Sequence, residues 1–147
     1  MKKLMVLIAL STLATAANAA WTTRNVTDEF SGKAVYTGVA GNPQRPVGML
    51  LCLNGNVALG LHARDYLANK SNVRMDWRVG EHTDWITGLG NGKMFISYTP
   101  PKSLIDNMKA GNELVIKFWN YNGDSHVRKF NLTGFTKTYN SVKSTCS

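Results

Sequence analysis

The sequence has no apolar run long enough to cross a bilayer as a helix, which takes roughly 20 residues. Its longest, residues 4–13, falls short and is broken by Ser11 and Thr12. An integral helical membrane protein is therefore not expected. The two cysteines, Cys52 and Cys146, lie far apart and form no C-x-x-C pair, which argues against a dithiol redox centre. No serine sits in G-x-S-x-G and no Gly-rich phosphate loop occurs, so two common routes to hydrolase and nucleotide chemistry are missing. Acidic residues are scarce, 9 Asp+Glu against 17 Lys+Arg, yet the basic residues stand singly rather than in runs. A polybasic arm for nucleic acid is not expected. No Pro-, Ser- or Gly-rich linker and no internal repeat divides the chain, so one domain is expected.

What is present starts at the N-terminus. Lys2 and Lys3 precede the apolar stretch, and Ala17-Asn18-Ala19 supplies the small-x-small pattern of a cleaved signal peptide. The expectation is a signal peptide over residues 1–19 and a single β-rich domain over 20–147, periplasmic or secreted by a bacterial route. Without Lys2 and Lys3, 15 basic residues face 9 acidic ones, a net +6 that gives weak attraction to anionic surfaces. An even cysteine pair in an oxidising compartment reads as one disulfide. The competing reading is two buried, reduced thiols.

Local patterns are mostly those of strands. Asn54-Gly55 lies between apolar runs and signals a two-residue hairpin, because both turn positions need φ > 0. That register pairs Leu53 with Asn56, Cys52 with Val57 and Leu50 with Leu59, turning Cys52 toward the core. Residues 73–79 alternate strictly between apolar and charged, a half-buried strand. Residues 93–98 form another, followed by a short helix with Thr99 as its cap, Leu104, Ile105 and Met108 on one face, and Gly111 as its stop. The strand bearing Leu114, Ile116 and Phe118 returns through Asn122-Gly123-Asp124. A three-residue loop there pairs Ile116 with Phe130 and Leu114 with Leu132, the register that burial favours. Phe135, Tyr139, Val142 and Cys146 fall on one face of a closing helix. The fold class expected is mainly β (α+β): an antiparallel β-sandwich or half-barrel with two short helices and one disulfide.

The order MLLCLNGNVAL, VRMDWRVGEHTDW, FISYTPPKSLIDNMKAGNELVIKF and FNLTGFTKTYNSVKSTC resembles small exported accessory proteins of bacterial type VI secretion. It also resembles invasion-associated periplasmic proteins that share the closing Phe-Leu-Gly-Phe pattern. The resemblance implies a β-rich exported domain with one disulfide and no reaction, and phage-borne relatives would look the same.

Two constellations are candidate sites. His82 and Asp84, with the distant His126, could hold a metal or act as acid and base. All three sit in stretches that read as turns, and surface loop residues are the plainer reading. Trp85 reads as a loop residue, while Trp119 shares an outer face with Lys117 and Lys129. Tryptophan beside lysine is the composition of a binding surface, and a second layer covering that face is the other reading. No cofactor and no metal are expected. The functional expectation is a non-enzymatic exported accessory module acting on an envelope or secretion-system protein. The alternatives are a phage- or host-encoded envelope inhibitor or exclusion factor, and a small periplasmic hydrolase centred on His82, Asp84 and His126.

Overall fold

The computed structural model describes residues 20–27, 29–42 and 44–146. The expected signal peptide, 1–19, lies outside the described residues. The elements are β1 (Trp21–Thr27), β2 (Ala34–Asn42), β3 (Arg45–Leu53), β4 (Asn56–His62), β5 (Val73–Val79), β6 (His82–Asn91), β7 (Met94–Ser97), α1 (Lys102–Ala110), β8 (Glu113–Trp119), β9 (Ser125–Asn131) and α2 (Phe135–Ser144). The nine strands form one antiparallel sheet in the order β1-β2-β3-β4-β7-β6-β5-β8-β9. The sheet is not closed, and its strands share one hydrogen-bonded order, so the expected sandwich is not confirmed.

The sheet is nonetheless bent onto itself. Phe95 on β7 and Phe118 on β8 have ring centroids 5.6 Å apart. Three strand spacings separate β7 from β8, which in a flat sheet is about 14 Å. The bend sits on β6, which pairs with β5 through residues 82–88 and with β7 through 89–91. Gly88 stands at the changeover, where a Cβ would lie 2.6 Å from the Ile96 carbonyl oxygen and 2.6 Å from the Phe95 ring. Only glycine allows that approach. Leu50, Leu59, Leu61, Phe95, Met75, Ile116 and Phe118 are all 0–1% exposed and form a single cluster inside the bend.

The Asn54-Gly55 hairpin has the register expected from its turn, with Leu53, Cys52 and Leu50 opposite Asn56, Val57 and Leu59. The β8–β9 hairpin does not. Ile116 lies opposite Arg128 and Leu114 opposite Phe130, two residues from the expected pairing. The loop is three residues long but sits one residue earlier: the Asn120 amide donates to the Asp124 carbonyl (2.8 Å) and the Gly123 amide to the Asn120 carbonyl (3.0 Å), leaving Tyr121-Asn122-Gly123, with Gly123 at φ 87°. The Asn120 Oδ1 braces it, accepting from the amides of Asn122 (3.0 Å) and Asp124 (2.8 Å). The facing set keeps its parity, so Phe130 stays inside, with Arg128 and His126 on the same face.

The first helix starts at Pro101 with no side-chain cap, so Thr99 is not the cap. Its Leu104, Ile105 and Met108 are buried as expected. The closing helix buries Phe135, Thr138 and Val142, and Phe135 meets Trp21 edge-on at 5.2 Å. Cys146 lies just past the helix end and is bonded to Cys52 with Cα atoms 5.3 Å apart. No helix among the described residues is long and apolar enough to cross a membrane.

Candidate functional site

The outer face of β5, β6, β8 and β9 gathers the aromatic and basic residues picked out in the sequence. Asp76 lies opposite Trp85 on one side and Lys117 on the other, and Lys117 lies opposite Val127. One row further along, Arg78 lies opposite Val115, and Val115 opposite Lys129. Cations sit on the indole rings. Arg74 is 4.9 Å from the Trp85 centroid and 5.9 Å from that of Trp119, and the Lys117 ammonium is 5.3 Å from Trp119. The Arg74 Nε also donates to Asp76 Oδ1 at 2.6 Å, which fixes the guanidinium between the rings. Trp85, Lys117, Val127 and Lys129 border a shallow depression of about 640 Å³. Trp119 is half-buried, but Trp85 is 52% and Val127 59% exposed, so no second layer covers this face among the described residues.

Trp85, His82 and Asp84 are strand residues of β6, not loop residues, and His126 belongs to β9. The loop that sequence reading missed is Gly80-Glu81. Val79 pairs directly with His82, and Gly80 takes φ 59° at the first of the two turn positions. Glycine there is the signal that could have found it. The structure does not bring His82 and His126 together. They lie three strand spacings and four residues apart in register, about 20 Å on ideal sheet dimensions. No group of three or more His, Cys, Asp or Glu among the described residues could hold a metal ion.

His126 instead pairs with Asp65, Nε2 to Oδ2 at 3.1 Å, in the loop after β4. The Asn120 amide donates to the same carboxylate oxygen at 3.0 Å. That hydrogen bond, the Tyr66 amide, and the charges of His126 and Lys93 hold the Asp65 carboxyl below its ordinary range. This cluster ties the β4–β5 loop to the β8–β9 loop.

Two residues outside both of these constellations, Arg128 and His62, also meet. Arg128 is on β9 and His62 on β4, five strand spacings away along the sheet, yet Arg128 Nη1 donates to the His62 carbonyl at 2.5 Å. The bend makes the contact. Arg128 Nη1 also lies 3.0 Å from His62 Nδ1, and the Arg64 amide donates to that nitrogen at 3.2 Å. Both partners can only donate, so Nδ1 is the bare nitrogen of a neutral ring. Partial burial, then the charges of Arg128 and Lys93, push the His62 pKa below its ordinary 6.5. The pH dependence follows. As pH falls through 6.5 the unfolded chain takes up this proton first, so stability drops until the lower folded-state pKa is passed. An NMR titration of the imidazole should show a midpoint below 6.5, and Arg128→Gln should raise it. An unchanged midpoint in that variant would remove Arg128 as a cause.

No family model matches the chain, and no curated protein does. Among solved structures, the chain is similar to invasion associated protein B from Bartonella henselae. The TM-score is 0.55 at 15% sequence identity, over 86% of this chain and 94% of that one. The likeness shows a shared fold. That protein is, by name, one of the invasion-associated proteins that the closing Phe-Leu-Gly-Phe pattern resembles, and the type VI secretion resemblance gains no support.

Proposed function

We propose that the chain is a non-enzymatic exported binding module that engages a protein partner of the bacterial envelope through the Trp85–Trp119 face. The observation that supports this reading is the arrangement of two indoles and their stacked cations on an uncovered sheet face. Exposed tryptophan next to arginine and lysine is the side-chain chemistry enriched at interface hot spots. Arg74, Arg78, Lys117 and Lys129 outnumber Asp76 and Asp84 around the depression, which suits a partner surface of net negative charge. The indoles supply desolvated contact area, and the cations hold them in place before binding, which lowers the ordering cost of association.

A photo-crosslinking amino acid in place of Val127, at the rim of the depression, should trap one discrete envelope protein in cells. Trp85→Ala with Lys117→Ala should abolish that adduct while changing stability by no more than about 0.5 kcal/mol, the range of surface substitutions. An adduct that survives the double substitution, or one formed equally from Thr22 on the opposite edge, would sink the assignment of this face.

A further inference from the structure

The outer face of β3, β4 and β7 carries a trough, independent of the aromatic face and of the reading built on it. Strand register creates it. The outward positions of β4 are Ala58, Gly60 and His62, so the middle strand contributes almost no side chain before His62. Its neighbours place large apolar groups in the same rows, Leu51 beside Ala58, and Met49 and Ile96 on either side of Gly60. Small residues between large ones leave a channel along β4 of about 700 Å³. That lies within the roughly 300–1,000 Å³ typical of small-molecule pockets. The Met94 side chain, level with His62 on the same face, reaches toward Gly60, its methyl 3.3 Å from where a Cβ on Gly60 would stand.

The two ends of the channel differ in chemistry. Leu53 and Tyr98 stand at one end, 37% and 50% exposed. Arg45, Arg64 and Arg128 stand at the other. Continuing the β3–β4 register beyond Gly48 opposite Leu61 sets Val47 level with His62 and Arg45 level with Arg64. Arg128 reaches the same point from β9 through the His62 carbonyl. Arg64 is held at φ 67°, a left-handed conformation uncommon outside glycine, with its amide on His62 Nδ1. No carboxylate lines the trough, and none of the three arginines belongs to an ion pair among the described residues. The adjacent acid, Asp65, is engaged by Asn120, His126 and the Tyr66 amide.

The occupant must match an apolar channel closed by positive charge at one end. A peptide strand does not, because β4 is paired on both edges and its outer face offers few partners for a second backbone. A hydrocarbon chain has no polar groups to satisfy. We propose that the trough binds a single acyl chain, with its anionic head, carboxylate or phosphate monoester, against Arg45, Arg64 and Arg128.

Calorimetric titration of the exported protein with dodecanoate, dodecyl phosphate, dodecanol and dodecyltrimethylammonium, all below micelle formation, tests this. Saturable binding of one anionic molecule per chain is expected, with the alcohol and the cation weaker by about tenfold, near 1.4 kcal/mol. Comparing dodecanoate with dodecyl phosphate identifies the preferred head. Arg45→Gln with Arg64→Asn, the latter tolerant of a left-handed backbone, should weaken both anions about tenfold and leave dodecanol unchanged. Gly60→Leu should block all four ligands by filling the channel. Equal affinity for every head group, anion binding untouched by the double arginine variant, or displacement of dodecanoate by an apolar peptide ending in a carboxylate would each overturn the proposal. So would the absence of saturable binding.

Discussion

Phe95→Ala and Phe118→Ala should each lower unfolding stability by about 3–5 kcal/mol, the usual range for deleting a buried phenylalanine. Both rings are essentially inaccessible, at 0% and 1% exposure. Their interest lies in the coupling between them. With centroids 5.6 Å apart, a double-mutant cycle should return about 0.5–1.5 kcal/mol of interaction energy. In an unbent sheet the two positions would be about 14 Å apart. Their costs would then add to within about 0.5 kcal/mol. Strict additivity in denaturant unfolding would therefore contradict the bend on β6. It would also contradict both contacts the bend creates, the Arg128–His62 hydrogen bond and the arginine end of the trough.

How much of this was legible in the sequence depends on the range of the interaction concerned. The Asn54-Gly55 turn fixes its own register because the φ requirement is local, and the observed pairs Leu53–Asn56 and Leu50–Leu59 agree with it. The alternation from Val73 to Val79 is also local, and its burial follows it residue by residue. The β8–β9 register differs because Asn120, through its backbone and its side chain together, closes the loop one residue earlier than expected, and hydrophobic matching alone cannot see that. The turn at Gly80-Glu81 is as short as the one at Asn54-Gly55 but lacks the Asn-Gly signature, so Trp85, His82 and Asp84 read as loop residues. The strand order is beyond any local rule, since β7 inserts between β4 and β6. The trough depends on that insertion. Ala58 and Gly60 look like unremarkable small residues until Met94 and Ile96 are known to stand beside them. The aromatic face was partly legible because Lys117, Trp119, Val127 and Lys129 share a parity that survives a two-residue slip. Arg74, which clamps both indoles, was hidden by the unknown position of β5 relative to β8.

Cys52→Ser and Cys146→Ser should destabilise the domain by similar amounts, about 2–5 kcal/mol, as loss of a native disulfide from a small domain typically does. The bond closes a long loop, its ends separated by 94 in sequence, so it removes considerable chain entropy from the unfolded state. It also anchors an element that has little else to hold its last turn. The second helix is rich in Ser, Thr and Asn and starts at Gly134 without a side-chain cap. Its first turns are fixed by Phe135 against Trp21 and by the buried Thr138. Beyond Val142, the ties are the Thr145 hydroxyl, which accepts from the Tyr36 amide at 3.1 Å, and the bond to Cys52. Reduction should therefore raise amide exchange most over residues 142–146 and least around Phe135. The double serine variant should be scarcely less stable than either single one, because breaking the bond once already opens the loop. Costs that add, or exchange that rises evenly along the helix, would mean the bond stabilises neither the loop nor the helix end.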